Sequence, residues 1–374
     1  MTRLADRHQA INLAQGFPDF PAPRFIKDAA HLAIDKDFNQ YAITWGSPRL
    51  RQAVAEKYAR HYGWGVDPER EVTVCCGATE SMICSILALV DPGENVIVFE
   101  PFYENYGPDT VIAGAVPVFV PFETEGRRAF SLSILKNQIC QAAAVGRVRA
   151  LILNTPNNPT GRVFSRSELE EVAALARSHD FYVITDEIYE HITYDGHRHE
   201  PIALLPGMRD RTITISGLSK TFSVTGWRLG YVIAPPDLTD AIRKVHDFLT
   251  VGAPAPLQEA AATALSVDDD YYAHLAESYR RRRDLLLGIL ADSGFRTWTP
   301  SGAYYVMADI SDLTDETDVE FVSRMIRDRG VAAVPGSSFF SQQERGSHLV
   351  RFTFCKTEAL LEEAGQRLRK GVSR

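Results

Sequence analysis

Lysine is scarce in this 374-residue chain, eight against thirty-two arginines, and one of the eight stands in a setting that suits chemistry. Lys220 lies within Ser216-Gly-Leu-Ser-Lys-Thr-Phe-Ser-Val-Thr-Gly-Trp-Arg228, after an apolar run and among small and hydroxylated residues. A lysine in a partly desolvated loop has a depressed pKa and acts as an amine nucleophile. Hydroxyls with an arginine close by suit a phosphate, and Ser216 is a weaker candidate for that contact than Ser219. Taken alone, the segment fits a solvated surface loop equally well.

Three further segments could work with it. Asn154-Thr-Pro-Asn-Asn158-Pro-Thr-Gly161 follows an apolar run; Pro and Gly fix the loop, and Asn158 offers both a donor and an acceptor. Asn-Pro chemistry is equally at home in a plain strand-to-helix turn. Asp186-Glu-Ile-Tyr189 follows another apolar run. A carboxylate there can hold a cationic ring nitrogen, and a tyrosine three residues on can reach another atom of the same ring; the plain alternative is an N-cap aspartate and a packed tyrosine. Gly77-Ala78-Thr79 opens a helical pattern running to about Val90. Backbone N–H groups at a helix start, with no large side chain in the way, make an anion cradle. No Gly-x-Gly-x-x-Gly and no P-loop occurs, so dinucleotide or nucleoside triphosphate binding is not indicated.

The elements that must position these groups alternate between short β-rich runs and longer helical patterns. Glu71–Cys75, Asn95–Phe99, Ala150–Asn154, Phe181–Thr185, Arg211–Ser216 and Gly230–Ala234 read as strands, rich in Val and Ile and apolar on both faces. Such strands belong to a sheet covered by helices on both sides, and the helices between them favour parallel crossovers. Sites in open α/β sheets form beyond the carboxyl ends of the strands, where the Asn158 and Asp186 segments fall. Ser47-Pro48 reads as a helix N-cap with proline at the first position, and Ser165…Glu168 as a capping box. After about residue 265 the pattern changes: a long helix spans Ala273 to Leu290, and Tyr304–Met307 and His348–Phe354 read as strands of a smaller α+β unit.

Composition excludes several classes. A formal net charge of −8 argues against a general nucleic-acid or anionic-membrane binder. No apolar run reaches the ~18–20 residues of a membrane span, and the N-terminus lacks an apolar signal core. Five cysteines in a long chain are no disulfide framework, which fits a reducing cytoplasm; adjacent Cys75 and Cys76 read as core packing. The Arg280–Arg283 run, flanked by Glu277 and Asp284, reads as a solvated helix face rather than a phosphate patch. His197-Arg-His199 has no partner cluster for a metal and reads as a polar loop; no metal is expected.

Together, in this order and context, the four segments resemble fold-type I pyridoxal-phosphate (PLP) enzymes of the class I/II aminotransferase family. The resemblance runs from Ile11-Asn-Leu-Ala-Gln-Gly-Phe-Pro-Asp19 to His348-Leu-Val-Arg351-Phe-Thr-Phe354, and the opening with Glu100-Pro-Phe-Tyr103 looks most like the kynurenine/glutamine branch. It implies a mostly parallel seven-stranded sheet in an α/β/α sandwich, a large PLP-binding domain at 41–265, and an N-terminal arm and small domain at 1–40 and 266–374. It implies that Lys220 carries the cofactor's aldehyde carbon and moves the substrate proton, and that Asp186 pairs with the pyridine nitrogen. Tyr189 and Asn158 would meet the phenolic oxygen, Tyr103 would stack on the ring, and Arg228, Ser219, Thr79 and the Gly77–Ala78 amides would hold the phosphate. Arg351 would grip the substrate carboxylate as a bidentate pair, with Gly16 backbone and Asn158 sharing it. Tyr41 resembles the tyrosine that reaches the partner's cofactor phosphate, so a homodimer with shared sites is implied.

One departure limits the substrate. Asp247–Pro256 falls where kynurenine-type relatives place aromatic side chains from the partner, and Val251 and Gly252 are small. The expected activity is transfer of an amino group from an L-amino acid to a 2-oxo acid in ping-pong order. A carbon–sulfur β-lyase on the same residues is the alternative. A catalytically idle PLP-binding regulator is disfavoured, because the family pattern begins by Ile11, leaving no room for a DNA-binding domain, and Lys220, Asp186 and Arg351 are retained.

Overall fold

The computed structural model describes residues 1–122 and 130–369. An N-terminal arm carries β1 (Ile11–Asn12). Seven strands then build the large sheet: β2 (Val72–Cys75), β3 (Asn95–Glu100), β4 (Val116–Pro121), β5 (Val148–Asn154), β6 (Tyr182–Asp186), β7 (Thr212–Gly217) and β8 (Gly230–Ile233). Their order is β2-β8-β7-β6-β5-β3-β4. The strands from β4 to β7 pair in parallel, while β8 runs antiparallel to both its neighbours. The connection 218–229 holds the Lys220 loop and no α-helix, so the chain returns beside β7 in the opposite sense.

Alternate residues of the strands feed two cores. Val96, Val98, Ala150, Ile152, Ile184 and Ile215 pack with Met82, Ile86 and Ile242 of the helices Ala78–Leu89 and Pro236–Leu249. Ile97, Phe99, Leu151, Leu153 and Val183 pack on the opposite face with Leu135, Ile139, Leu169 and Val172. Both faces are therefore dry, which is why these strands read as unbroken apolar runs. Only β4 lies outside the six runs recognised in the sequence. It is one edge of the sheet, pairs among the described residues with β3 alone, carries Pro117 and Pro121, and is largely half-exposed. Proline in a sheet is confined to such edges, and two prolines in six residues mask the strand signal of its three valines.

Both helix starts read from the sequence are present. The Ser47 hydroxyl accepts the Leu50 N–H with Pro48 at the first helical position, and Ser165 and Glu168 form the reciprocal capping box. The long C-terminal helix spans Asp269–Asp292. Beyond it, β9 (Arg296–Thr297) and β10 (Tyr305–Asp309) precede β11 (Val331–Ala332), β12 (Val334–Pro335) and β13 (Leu349–Thr353). Strands β12-β13-β10-β9 form a four-stranded sheet, and β11 pairs with β1 of the arm. The arm is stitched down further by Leu13 N–H to Ala332 O and Thr353 N–H to Leu13 O, which carries Gly16 to the seam between the two sheets.

Two surface readings need correction. Arg280 does lie exposed between Glu277 and Asp284. Arg283, however, is buried against Asp195, with its guanidinium 3.1 Å from Pro300 O, and Arg282 covers the Phe20 ring. The helix thus turns half of its arginine run inward, where Asp195 supplies the charge that burial demands. His199 is no solvated loop residue either: its Nε2 lies 2.8 Å from Glu187 Oε2 in the interior.

Candidate active site

Strand register brings the first two groups together. Asn154 and Asp186 are direct neighbours across β5 and β6, at the carboxyl ends of both strands. Asn154 then organises the loops that follow: its amide donates to Asp186 O (2.9 Å) and its Oδ1 accepts the Asn158 N–H (2.7 Å). Asn157 Oδ1 accepts both the backbone and hydroxyl of Thr160, and Gly161 turns at φ 70 with Pro300 2.2 Å from where a Cβ would stand. Only glycine fits there, and the tight turn holds Asn158 over the sheet edge.

Asp186 is buried. Its Oδ1 accepts the Ile188 N–H (3.2 Å) and its Oδ2 the Tyr106 hydroxyl (2.8 Å). Burial pushes its carboxyl above the usual range, against the pull of Tyr106, the Ile188 amide and the Lys220 charge. A desolvated carboxylate of this kind favours a cationic partner. No helix follows it, so the N-cap alternative for Asp186 is not realised. Tyr189 comes next around the turn, its hydroxyl 3.1 Å from that of Tyr305 on β10.

Lys220 follows β7 on a single helical turn closed by Phe222 N–H to Leu218 O. Its amine is enclosed by protein but opens onto the cavity, with one long contact to Gly16 O (3.3 Å). Burial lowers its pKa to about 8, helped by Arg351 and Arg228 and opposed by Cys355 and Asp186. Arg228 takes a left-handed backbone at φ 53 and lays its guanidinium against Gly77, where a Cβ would come within 2.5 Å of Nη2. Gly230 permits the approach, since a Cβ there would meet Gly77 C at 2.5 Å. Gly77 caps the helix Ala78–Leu89 with no side chain over its free amides. An arginine, Thr79, Ser219 and open helix-start N–H groups thus converge as an anion cradle.

These groups line one cavity of about 200 Å³: Thr79, Tyr103, Asn158, Asp186, Lys220 and Arg228 are among its walls, together with Ala78, Tyr189 and Ser219. A wider antechamber of about 630 Å³ adjoins it, sharing Tyr103, Asn158, Lys220 and Tyr305 and adding Gly16 and Arg351. Arg351 on β13 is buried, donating to Asn158 Oδ1 (2.7 Å) and Ala14 O (3.1 Å) while its Nε has no partner. An unfilled guanidinium donor beside a cavity suits a carboxylate.

Two residues from the sequence analysis lie elsewhere. Ser216 is buried with its hydroxyl on Glu190 Oε1 (2.6 Å), so it points away from the cradle. Tyr41 is 89% exposed, in a separate groove shaped by residues 39–42 and 251–256. Conversely, Tyr106, Asn154 and Tyr305 belong to the site and were not singled out. Tyr106 opens a helix three residues after Tyr103, and the two rings meet edge to face at 5.7 Å.

The fold has close counterparts. The family described as aminotransferase class I and II matches residues 8–368. A protein of Mycobacterium tuberculosis named probable N-succinyldiaminopimelate aminotransferase is 42% identical, over 98% of this chain and 94% of its own. Human kynurenine–oxoglutarate transaminase 1 is 39% identical over 98% and 94%. The solved N-succinyldiaminopimelate aminotransferase from M. tuberculosis superposes with a TM-score of 0.94, covering 98% of this chain and 95% of that one. A structure of an Escherichia coli methionine aminotransferase reaches 0.91 at 34% identity, over 99% and 95%. The chain therefore belongs to the class I and II aminotransferases, pyridoxal-phosphate enzymes of fold type I that move an amino group between an amino acid and a 2-oxo acid.

Proposed function

We propose that this enzyme transaminates amino acids with large, uncharged side chains, in a homodimer whose subunits share each site. The carrying observation is the antechamber wall. It includes Phe17, Tyr103, Tyr305, Val319, Val334 and Pro335 beside the uncharged polar Thr2, Gln15, Thr225 and Ser338, and among the described residues Glu104 is its one charged side chain besides Lys220 and Arg351. A distal carboxylate on the substrate would meet no second guanidinium there and would face Glu104. The names of two relatives, a methionine aminotransferase and a kynurenine–oxoglutarate transaminase, agree with an uncharged side chain, whereas the 42% identical relative is named for N-succinyldiaminopimelate, which carries distal carboxylates. No observation favours the β-lyase alternative.

The residues fit PLP: the cradle at Gly77 and Arg228 takes a phosphate, Asp186 awaits a cation, and Lys220 is an amine of lowered pKa. Bound there, the cofactor supplies an aldehyde that captures amines and an electron-poor ring that stabilises charge on the substrate α-carbon. We assign Lys220 to its covalent attachment and to moving the α-proton. Thr79, Ser219, Arg228 and the Gly77–Ala78 amides would hold the phosphate, Tyr103 would cover the ring, and Tyr189 and Asn158 would meet its phenolic oxygen. Arg351, freed from Asn158, turns two donors to the substrate carboxylate, and Gly16 carries its backbone to the same place.

The dimer reading rests on the Tyr41 groove. Tyr41 and Phe248 are 89% and 90% exposed, and Val251 stands out of the surface at φ 66. Apolar groups so exposed support a second copy of the chain as their cover. A single 41.6 kDa species in sedimentation at micromolar concentration would remove Tyr41 from any shared site. We retain the division into 41–265 against 1–40 with 266–374, and a cytoplasmic setting, which five unpaired cysteines support. No helix among the described residues is long and apolar enough to cross a membrane.

The substrate class is tested by initial rates with one 2-oxo acid acceptor and a panel of donors. Methionine, leucine and phenylalanine should exceed glutamate and aspartate in kcat/KM by about tenfold or more. A preference for the acidic donors would overturn it.

A further inference from the structure

Tyr305 touches both halves of the site, and the reading above gives it no role beyond its share of the antechamber wall. It lines the cofactor cavity and the antechamber alike. Its hydroxyl lies 3.1 Å from the Tyr189 hydroxyl, its only hydrogen-bond partner among the described residues. Its ring lies under Arg351, with the guanidinium carbon 4.2 Å from the ring centroid and Phe339 on the other side at 4.7 Å. It also packs on Gly16: a Cβ at that position would fall 1.9 Å from the Tyr305 oxygen, so the close fit requires glycine in the arm.

Building on the roles assigned above, we propose that Tyr305 is a positioning residue that couples the two halves of the site, its ring setting the Arg351 guanidinium and its hydroxyl orienting that of Tyr189. A phenol has one proton. With Tyr305 donating to Tyr189, the Tyr189 proton is directed into the cavity, and a hydroxyl that accepts one hydrogen bond donates the next more strongly. Burial holds the Tyr305 hydroxyl up at about 12, so it keeps its proton and can donate through the working range. The titratable and charged groups around the pair come from several elements: Arg351 and Cys355 from β13 and its continuation, Tyr304 beside β10, Tyr103 after β3, Asp186 at the end of β6 and Lys220 after β7. The ring face under the guanidinium replaces water there and leaves the Arg351 donors in the plane a carboxylate would approach.

Two variants separate the two effects, and bound cofactor reports one of them without turnover. The holoenzyme is titrated by absorbance, and the midpoint of the cofactor's pH-dependent band is read. Tyr189 donation favours the anionic phenolic oxygen, so weakening it makes the proton harder to remove. Tyr305→Phe should move the midpoint up by about half a unit, with KM for the donor within about twofold. Tyr189→Phe should move it further, and adding Tyr305→Phe to that background should move it no more, because the hydroxyls act as one unit. Tyr305→Leu, which removes the ring, should raise KM about tenfold. An unshifted Tyr305→Phe, additive shifts in the double variant, or an unchanged KM in Tyr305→Leu would each overturn the proposal. Wild-type protein that holds no PLP would instead overturn the reading beneath it, and this inference with it.

Discussion

The turn Asp186–Glu190 has two faces, and they treat charge in opposite ways. Asp186 and Tyr189 look into the cofactor cavity. Glu187 and Glu190 look into the interior, where Glu190 meets Lys57 Nζ (2.5 Å), the Tyr62 hydroxyl (2.8 Å) and Ser216, while Glu187 takes His199 and Thr185. Lys57 in turn donates to the Tyr231 hydroxyl (2.9 Å). On this inner face charges are matched. Burial alone would raise the Glu190 carboxyl, but Lys57, His191 and His199 outweigh it and hold it far below the usual range; Glu190 likewise holds the Lys57 amine above its ordinary value against burial. Across the turn, among the described residues, Lys220 has no carboxylate in contact and Arg351 keeps an unfilled donor, while Asp186 is raised by desolvation. The cavity holds unmatched charge that a ligand can complete. The network behind it already pairs its carboxylates with cations, leaving His199 Nδ1 without a hydrogen-bond partner among the described residues, and it anchors the turn from the rear.

Two lysines therefore offer the sharpest way to break the comparison, by the same substitution with opposite results. Lys220→Met should abolish transamination, by about 10³-fold or more, and remove the adduct that borohydride traps. It should also raise the melting temperature of the cofactor-free protein, because it deletes an enclosed amine with no countercharge. Lys57→Met should lower stability by about 3–5 kcal/mol, since it leaves Glu190 buried and unpaired, and Lys57→Met with Glu190→Met should recover most of that loss. Thermal unfolding of the three cofactor-free variants checks all of this. A Lys57→Met protein as stable as the wild type would show that the inner network is not what fixes the turn.

The outer face was the legible one. Lys220, Asp186, Asn158 and Arg228 sit in motifs whose residue types announce chemistry, and register at the strand ends then brings them together. The inner face was not, because its members are far apart in the chain and individually ordinary. Lys57 looks like any helix lysine, although its place beside Val54 and Tyr58 on the apolar stripe was a signal that it is buried. Ser216 misled for the complementary reason: it shares a motif with Lys220, but strand alternation turns it to Glu190 instead of the phosphate cradle. Tyr305 was hidden within a strand, where an aromatic residue is normally core.

The smallest effect, and the most direct measure of unmatched charge, is the pH dependence of cofactor capture. Only the neutral amine attacks an aldehyde. With its pKa lowered to about 8, Lys220 is neutral in about one molecule in ten at pH 7, against about one in 2,500 for an ordinary lysine. The rate at which cofactor-free enzyme takes up PLP should thus rise nearly tenfold between pH 6 and 7 and level off above about pH 8.5, followed as the growth of absorbance or of borohydride-trapped protein. The sign follows from the shift: the depressed value lets the amine shed its proton early, so capture is lost as the pH falls. Asp186 is among the groups that raise the Lys220 pKa, so Asp186→Asn should move the midpoint to lower pH, though by less than one unit. A capture rate still climbing at pH 10 would mean that Lys220 is as solvated as a surface lysine, and the contrast between the two faces of the turn would disappear.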